Sequence, residues 1–169
     1  MDNDALVTVE HLTHDYRLGR GFSVRALDDV SLEIRRGECL GIMGVNGSGK
    51  STLLQMIAGT VCPTTGQIWA DGKIASLLEL GSWINAADTG RENIYTAGYI
   101  RGLTKKQIDE QLPEIIEFSE IGEFIDQPVS TYSTGMVMRL AFSACIKMET
   151  DILLLDEVFA VGDARFAQK

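Results

Sequence analysis

The stretch that most constrains this chain is GVNGSGKS, residues 44–51, set between the apolar run CLGIMG (39–44) and the segment KSTLLQMIAG (50–59). The first run reads as a short buried strand and the second as a helix stopped by Gly59. A glycine-rich turn from strand to helix lets the backbone wrap an anion with its N–H groups pointing inward, at the positive end of the helix. Gly44, Gly47 and Gly49 supply the room, with Asn46 and Ser48 between them. Lys50 is placed to set its ammonium against β- and γ-phosphates, Ser51 to offer a hydroxyl to Mg²⁺, and Thr52 follows at the helix start. The competing reading is a glycine-rich turn that holds nothing, and a strand before and helix after favour the phosphate loop.

A second stretch, ILLLDE (152–157), puts four apolar residues ahead of two carboxylates. Open α/β sheets bind ligands at the C-terminal ends of their strands, which is where this pattern places Asp156 and Glu157. Asp156 suits a Mg²⁺ held through its water shell, and Glu157 suits a base for the water that attacks a γ-phosphate. Alone, this is also what a strand ending in a solvated acidic turn looks like. With Lys50 it implies a nucleoside triphosphatase. The Asn-Lys-x-Asp base-reading pattern of a small GTPase does not occur.

The rest of the chain reads as an α/β domain. ALVTVEHLTH and VRALDDVSLEI alternate like half-buried strands, and RRGE (35–38) is a turn. PTTGQIWADGKIASLLEL reads as strand, Asp71-Gly72 hairpin turn, strand. From TGRENIY onward the pattern is helical, with a Thr104/Gln107 capping box and Pro113 inside a helix as a possible bend. The order of strands, helices and a final strand predicts an α/β core with a helical insertion over about 82–148. The net charge of −9 argues against general attraction to nucleic acid or anionic lipid. No apolar run nears the ~18 residues of a membrane span. Cys39, Cys62 and Cys145 are odd in number and far apart, which predicts buried reduced thiols rather than disulfides or a zinc site.

STYSTGM, residues 130–136, holds more small hydroxyl residues than one helix cap needs. Followed by a helix and then ILLLDE, it resembles the signature of the ATP-binding-cassette (ABC) family, usually Leu-Ser-Gly-Gly-Gln. Ser133 and Gly135 match, while Tyr132, Thr134 and Met136 replace leucine, glycine and glutamine. The resemblance spans essentially the whole chain. It implies an α/β P-loop NTPase core (RecA-like) with an N-terminal antiparallel β subdomain and an inserted helical signature subdomain. It also implies ATP and Mg²⁺ as ligands and a homodimer of cassettes, in which Ser133 and Gly135 touch the γ-phosphate bound by the partner. Positions 136–148 fit a buried helix behind that end, apolar except for a stripe of Arg139, Ser143 and Lys147. Tyr16 lies where the family keeps an aromatic that stacks on adenine, although a plain core or surface tyrosine reads equally well. Asp163 matches the acidic residue of the D-loop.

Finer resemblance points to one branch. GKIASLLELG, TGRENIY and LLLDEVFAVGDARF look like the ATPase subunits that export polysaccharides such as O-antigen, capsule and teichoic acid. Glu79 is the nearest polar residue to the usual Q-loop glutamine. Residues 81–90 depart from the branch pattern in a segment expected to face a membrane permease. The expected place is therefore peripheral, on the cytoplasmic face of the cell membrane through that permease, with no nucleic acid bound. The chain runs 12 residues past Glu157, and its histidines are His11 and His14. The family's switch histidine is thus expected beyond residue 169, and these residues alone are expected to be a C-terminally incomplete, inactive ATP-binding domain. The rivals are an ABC protein of another transport system, one acting on DNA or ribosomes, and a regulator that no longer hydrolyses. Absent coiled-coil insertions weigh against a DNA or ribosome role, and Lys50, Asp156 and Glu157 against a regulator.

Overall fold

The structure, a computed structural model, describes residues 4–19, 21–76 and 83–156. The chain divides into two compact units, Met1–Lys73 and Ile74–Lys169.

In the first unit, β1 (Ala5–Gly19) and β2 (Phe22–Arg35) form a long antiparallel hairpin. Helix α1 (Lys50–Ile57) follows, and β3 (Thr65–Ala70) then pairs antiparallel with the other edge of β1, giving the order β2-β1-β3. Val7 and Val9 point inward, and strict alternation would bring His11 in next. The backbone instead bulges at His11 (φ 50°), so that Leu12 is the residue fully buried. Asp29 (φ 52°) bulges on β2, and its carboxylate meets His11 Nδ1 at 2.7 Å. Two hydroxyls brace the distortion: the His11 N–H donates to Ser31 Oγ and the Asp29 N–H to Thr13 Oγ1. Helix α1 lies against β2 and β3 and buries Leu53, Met56 and Ile57.

In the second unit, β4 (Ile74–Ser76) pairs parallel with β5 (Ile152–Leu154), and among the described residues three α-helices lie between them in sequence: α2 (Gly90–Ile100), α3 (Lys105–Ser119) and α4 (Thr134–Lys147). Their apolar faces make one core that includes Ile94, Ile108, Ile115, Leu140 and Met148. Each helix start is closed by a hydroxyl. Thr89 and Thr104 form full capping boxes with Glu92 and Gln107, and Ser133 Oγ accepts the Met136 N–H at 3.2 Å. Helix α3 runs on through Pro113. The polar stripe of α4 meets α3 and its C-terminal cap: Arg139 lies 3.6 Å from Glu120 and Lys147 3.8 Å from Glu114, while Ser143 is fully buried and donates to the Arg139 carbonyl.

Four expectations need correction. Asp71-Gly72 turns no hairpin: β3 pairs with β1 and β4 with β5, so the chain there leaves one unit for the other. The run 39–44 forms no strand, and Met43 is 95% exposed. An apolar run becomes a buried strand only when neighbours pair with it and layers cover both faces, and no described strand pairs with it. The four apolar residues 152–155 read as a buried strand, but β5 buries Ile152 and Leu154 and leaves Leu153, and Leu155 just after it, exposed. Of the cysteines, Cys145 is buried, whereas Cys39 and Cys62 are exposed because they lie in irregular segments outside either core.

The bulged sheet generates a stability prediction. Gly66 (φ 92°) sits where a Cβ would overlap the His11 carbonyl and lie 2.6 Å from the Glu10 carbonyl oxygen. Gly66→Ala is expected to cost about 2 kcal/mol or more, from left-handed strain plus backbone collision. Gly19→Ala at φ 82°, with nothing within 4 Å, is expected to cost only about 1 kcal/mol. Urea unfolding of the two variants checks the difference, and equal midpoints would contradict it.

Candidate functional site

The loop 44–52 joins the irregular segment 39–43 to α1. Gly47 and Gly49 hold φ of 80° and 91°, in the left-handed region that glycine enters without strain. At Gly49 space is also decisive: a Cβ would run into the Ala26 carbonyl and lie 2.9 Å from Leu27 Cδ2. The backbone therefore turns into α1 directly on β2. At Gly44 a Cβ would sit 2.6 Å from Ser48 Oγ, inside the loop. Lys50 Nζ donates to the Gly44 and Val45 carbonyls at 2.9 and 3.0 Å, and the Ser48 N–H closes the turn onto Val45 at 3.2 Å.

Helix α1 starts on Gly49 with no side-chain cap and no acid in its first turn. That sets it apart from α2, α3 and α4, which begin with capping hydroxyls. An uncapped helix start beside an ammonium is a positive concavity lined by backbone donors, which suits a polyphosphate. The residues fit that group: Gly44, where a Cβ would sit inside the loop against Ser48 Oγ, the Lys50 ammonium, and adjacent hydroxyls at Ser51 and Thr52.

Tyr16 joins this group. Its hydroxyl lies 3.3 Å from Thr52 Oγ1, its ring meets the His14 ring edge-on at 4.5 Å, and the residue remains 37% exposed. Both readings of Tyr16 thus keep a physical basis: a partly exposed side chain, and a hydroxyl tied to the loop helix. The first unit brings together Tyr16, Gly44, Asn46, Gly47, Ser48, Gly49, Lys50, Ser51 and Thr52.

The second unit carries Ser133, Gly135 and Asp156. Ser133, Thr134 and Gly135 are exposed at the start of α4, whose later residues Leu140, Ala141 and Ala144 are fully buried. The helix end is thus presented to solvent on a fixed stem. Asp156 is half-buried, two residues past the end of β5. Glu157, Asp163 and Glu79 lie outside the described residues.

Sequence reasoning missed two features. The Ala26 carbonyl and Leu27, which force glycine at position 49, left no signal because they act through main chain and packing. Tyr132 is the other. Its hydroxyl donates to the Phe124 carbonyl at 2.5 Å, and burial pushes the phenol up from its ordinary pKa. The departure from leucine at that position was the available signal.

Comparison with known proteins places these features. Residues 27–160 match the family described as ABC transporter. The chain is 45% identical over 159 residues to the O-antigen export system ATP-binding protein RfbB of Klebsiella pneumoniae, covering 94% of this chain and 65% of that one. It is 45% identical over 178 residues to the teichoic acids export ATP-binding protein TagH of Staphylococcus saprophyticus, covering 96% and 67%. The chain spans about two thirds of the length of these relatives and about half (47%) of another. Among solved structures, the dimeric post-hydrolysis state of the ATP-binding cassette MJ0796 bound to ADP and Pi superposes with a TM-score of 0.79 at 24% identity, over 96% of this chain and 78% of that one. That likeness concerns the fold, an α/β cassette with an antiparallel β portion and a helical portion. No described helix is long and apolar enough to cross a membrane. With a glycine cradle around Lys50, a serine-capped helix end at residue 133 and a family match across most of its length, the chain belongs to the ABC transporter family of ATP-binding domains.

Proposed function

We propose that the protein is the ATP-binding and ATP-hydrolysing subunit of a transporter that exports a polysaccharide or lipid-linked glycan. The observation that carries the ATPase reading is the loop 44–52, with its uncapped helix start, its obligatory glycine at 49 and the Lys50 ammonium at its mouth. The export reading is supported by 45% identity to relatives named for O-antigen and teichoic acid export. In this reading residues of about 82–148 form the helical signature subdomain of an ABC ATP-binding domain.

In this reading the loop N–H groups and Lys50 bind the β- and γ-phosphates, exchanging the lysine's two carbonyl partners for stronger charged ones. Ser51 and Asp156 would hold Mg²⁺, which when bound neutralises charge on the phosphate oxygens. Glu157 takes the proton from the attacking water. Tyr16 offers its open face to the adenine. Ser133 and Gly135 act on the nucleotide of a second cassette. The Ser133 hydroxyl already accepts the Met136 N–H, so its own proton is available to donate outward to a phosphate oxygen. ATP favours the closed pair of cassettes and hydrolysis reopens it, a population shift that a membrane permease converts into transport. The subunit would sit peripherally on the cytoplasmic face of the membrane through that permease.

Three outcomes follow. Lys50→Ala is expected to weaken ATP binding by at least about tenfold, the worth of a charged hydrogen bond. The fold should survive, since the partners of Lys50 Nζ among the described residues are two loop carbonyls. Fluorescent-nucleotide titration with a parallel melt checks this, and equal affinity in variant and parent would refute the loop assignment.

In the full-length protein, Glu157→Gln is expected to retain ATP binding, lose most turnover and trap the closed dimer, seen by light scattering as a doubled mass. Hydrolysis at the parental rate would remove Glu157 from the base role.

Tyr16→Ala is expected to cost about 1 kcal/mol in ATP affinity, the worth of one aromatic stack, and almost nothing in inorganic triphosphate affinity. Tyr16→Phe, which loses only the contact to Thr52, should bind ATP like the parent. Equal losses for both ligands would mean that Tyr16 supports the loop and does not read the base.

A further inference from the structure

Tyr132 precedes the serine that caps α4, at the place where the family's signature has leucine. Its hydroxyl reaches back to the Phe124 carbonyl at 2.5 Å, in the 3-10 turn Gly122–Asp126. The same oxygen lies against Gly90, the first residue of α2: a Cβ on Gly90 would collide with it and would lie 3.0 Å from Ile125 Cδ1. Gly90 is buried and its φ is not in the left-handed region, so it is space, first against the hydroxyl and then against Ile125, and not backbone conformation, that requires glycine here.

Around this seat two segments are stitched together. The Val129 N–H donates to the Asp88 carbonyl at 2.9 Å and the Ser130 N–H to the Ala86 carbonyl at 2.8 Å. Thr89 bridges Pro128, and Arg91 Nε donates to Asp126 at 2.6 Å. Residues 86–91 and 124–132 therefore form one hydrogen-bonded body, and Tyr132 is its last residue before the helix end at 133–135.

We propose that Tyr132 is a positioning residue, whose hydroxyl sets the helix start at 133–135 in register with the N-terminus of α2, so that the signature's approach to a partner's nucleotide depends on where residues 86–91 sit. The inference rests on the shared-site reading above. A leucine fills apolar space at this place but cannot make the tie. The hydroxyl adds a directional bond between the element that would touch phosphate and the segment before α2.

The test uses the full-length protein and three variants: Tyr132→Phe, Gly90→Ala and the double variant. Tyr132→Phe keeps the ring and removes the bond. Its kcat for ATP is expected to fall about tenfold with the ATP KM unchanged, the consequence of losing one backbone-anchored hydrogen bond. Amide exchange at 88–91 should quicken while the melting temperature stays close to the parent's. Gly90→Ala, which evicts the hydroxyl and leaves Tyr132 in place, should show a similar loss, and the double variant should be no worse than either single one. Because Gly90→Ala attacks the same contact from the other side, the result can be read even if one variant folds poorly. Parental kcat in both single variants, or strictly additive losses in the double one, would overturn the proposal. So would a loss of kcat that tracks the fraction unfolded with no change in exchange at 88–91, since that marks a role in folding alone. A parent whose turnover is indifferent to Ser133→Ala would overturn the shared-site reading and this inference with it. Parental sensitivity to Ser133→Ala with no effect at Tyr132 would overturn this inference alone.

Discussion

In the first unit, the seat of the proposed phosphate loop depends on how closely Gly49 approaches the Ala26 carbonyl. The loop 44–48 is exposed and irregular, and the sheet alone would not fix it. What fixes it is that α1 begins directly on β2, with Leu27 and Leu53 buried beneath it. That seating sets the start of α1 beside the loop, where Lys50 Nζ donates to the Gly44 and Val45 carbonyls. A methyl group at position 49 would separate helix from strand, so the glycine there serves packing and, in the proposed reading, ligand geometry as well.

Among the described residues four α-helices begin in two different ways, and the contrast accords with the proposed function. Helices α2, α3 and α4 close their own starts with Thr89, Thr104 and Ser133, which satisfies orphan donors and stabilises each helix by about 1 kcal/mol. Helix α1 starts on Gly49 and forgoes that stabilisation. A capping hydroxyl there would compete with an incoming phosphate for the same N–H groups. Helix α4 lies between the two cases, because a serine hydroxyl can accept from the backbone and still donate outward.

Much of the architecture was legible in the sequence because it rests on local chemistry. The β1 and β2 alternation, the Thr104/Gln107 capping box and the Gly59 stop after α1 are short-range patterns, and all are present. What was not legible depends on partners distant in sequence. The run 39–44 has the composition of a core strand, yet composition cannot supply the neighbours that would pair with it. The Asp71-Gly72 pair carries a hairpin's chemistry, but the strand after it finds β5, about eighty residues on, because parallel pairing answers to the fold and not to the turn. The bulge at His11 was hidden because alternation assumes an even pleat. In the candidate site, the glycine-rich turn into α1 was legible from the spacing of Gly44, Gly47 and Gly49 and the helix pattern after it, whereas the bond between Tyr16 and Thr52 and the seat of Tyr132 on Gly90 required three-dimensional placement.

The central claim is that the backbone of residues 47–52 wraps a nucleotide's phosphates, and the most direct test watches those amides. In ¹⁵N-labelled protein titrated with ATP and Mg²⁺, the account predicts the largest shifts at the amides of Gly47, Gly49, Lys50, Ser51 and Thr52. Adenosine alone should leave them in place, and inorganic triphosphate should reproduce most of the change. Shifts centred elsewhere, or a loop indifferent to triphosphate at concentrations where ATP binds, would contradict it.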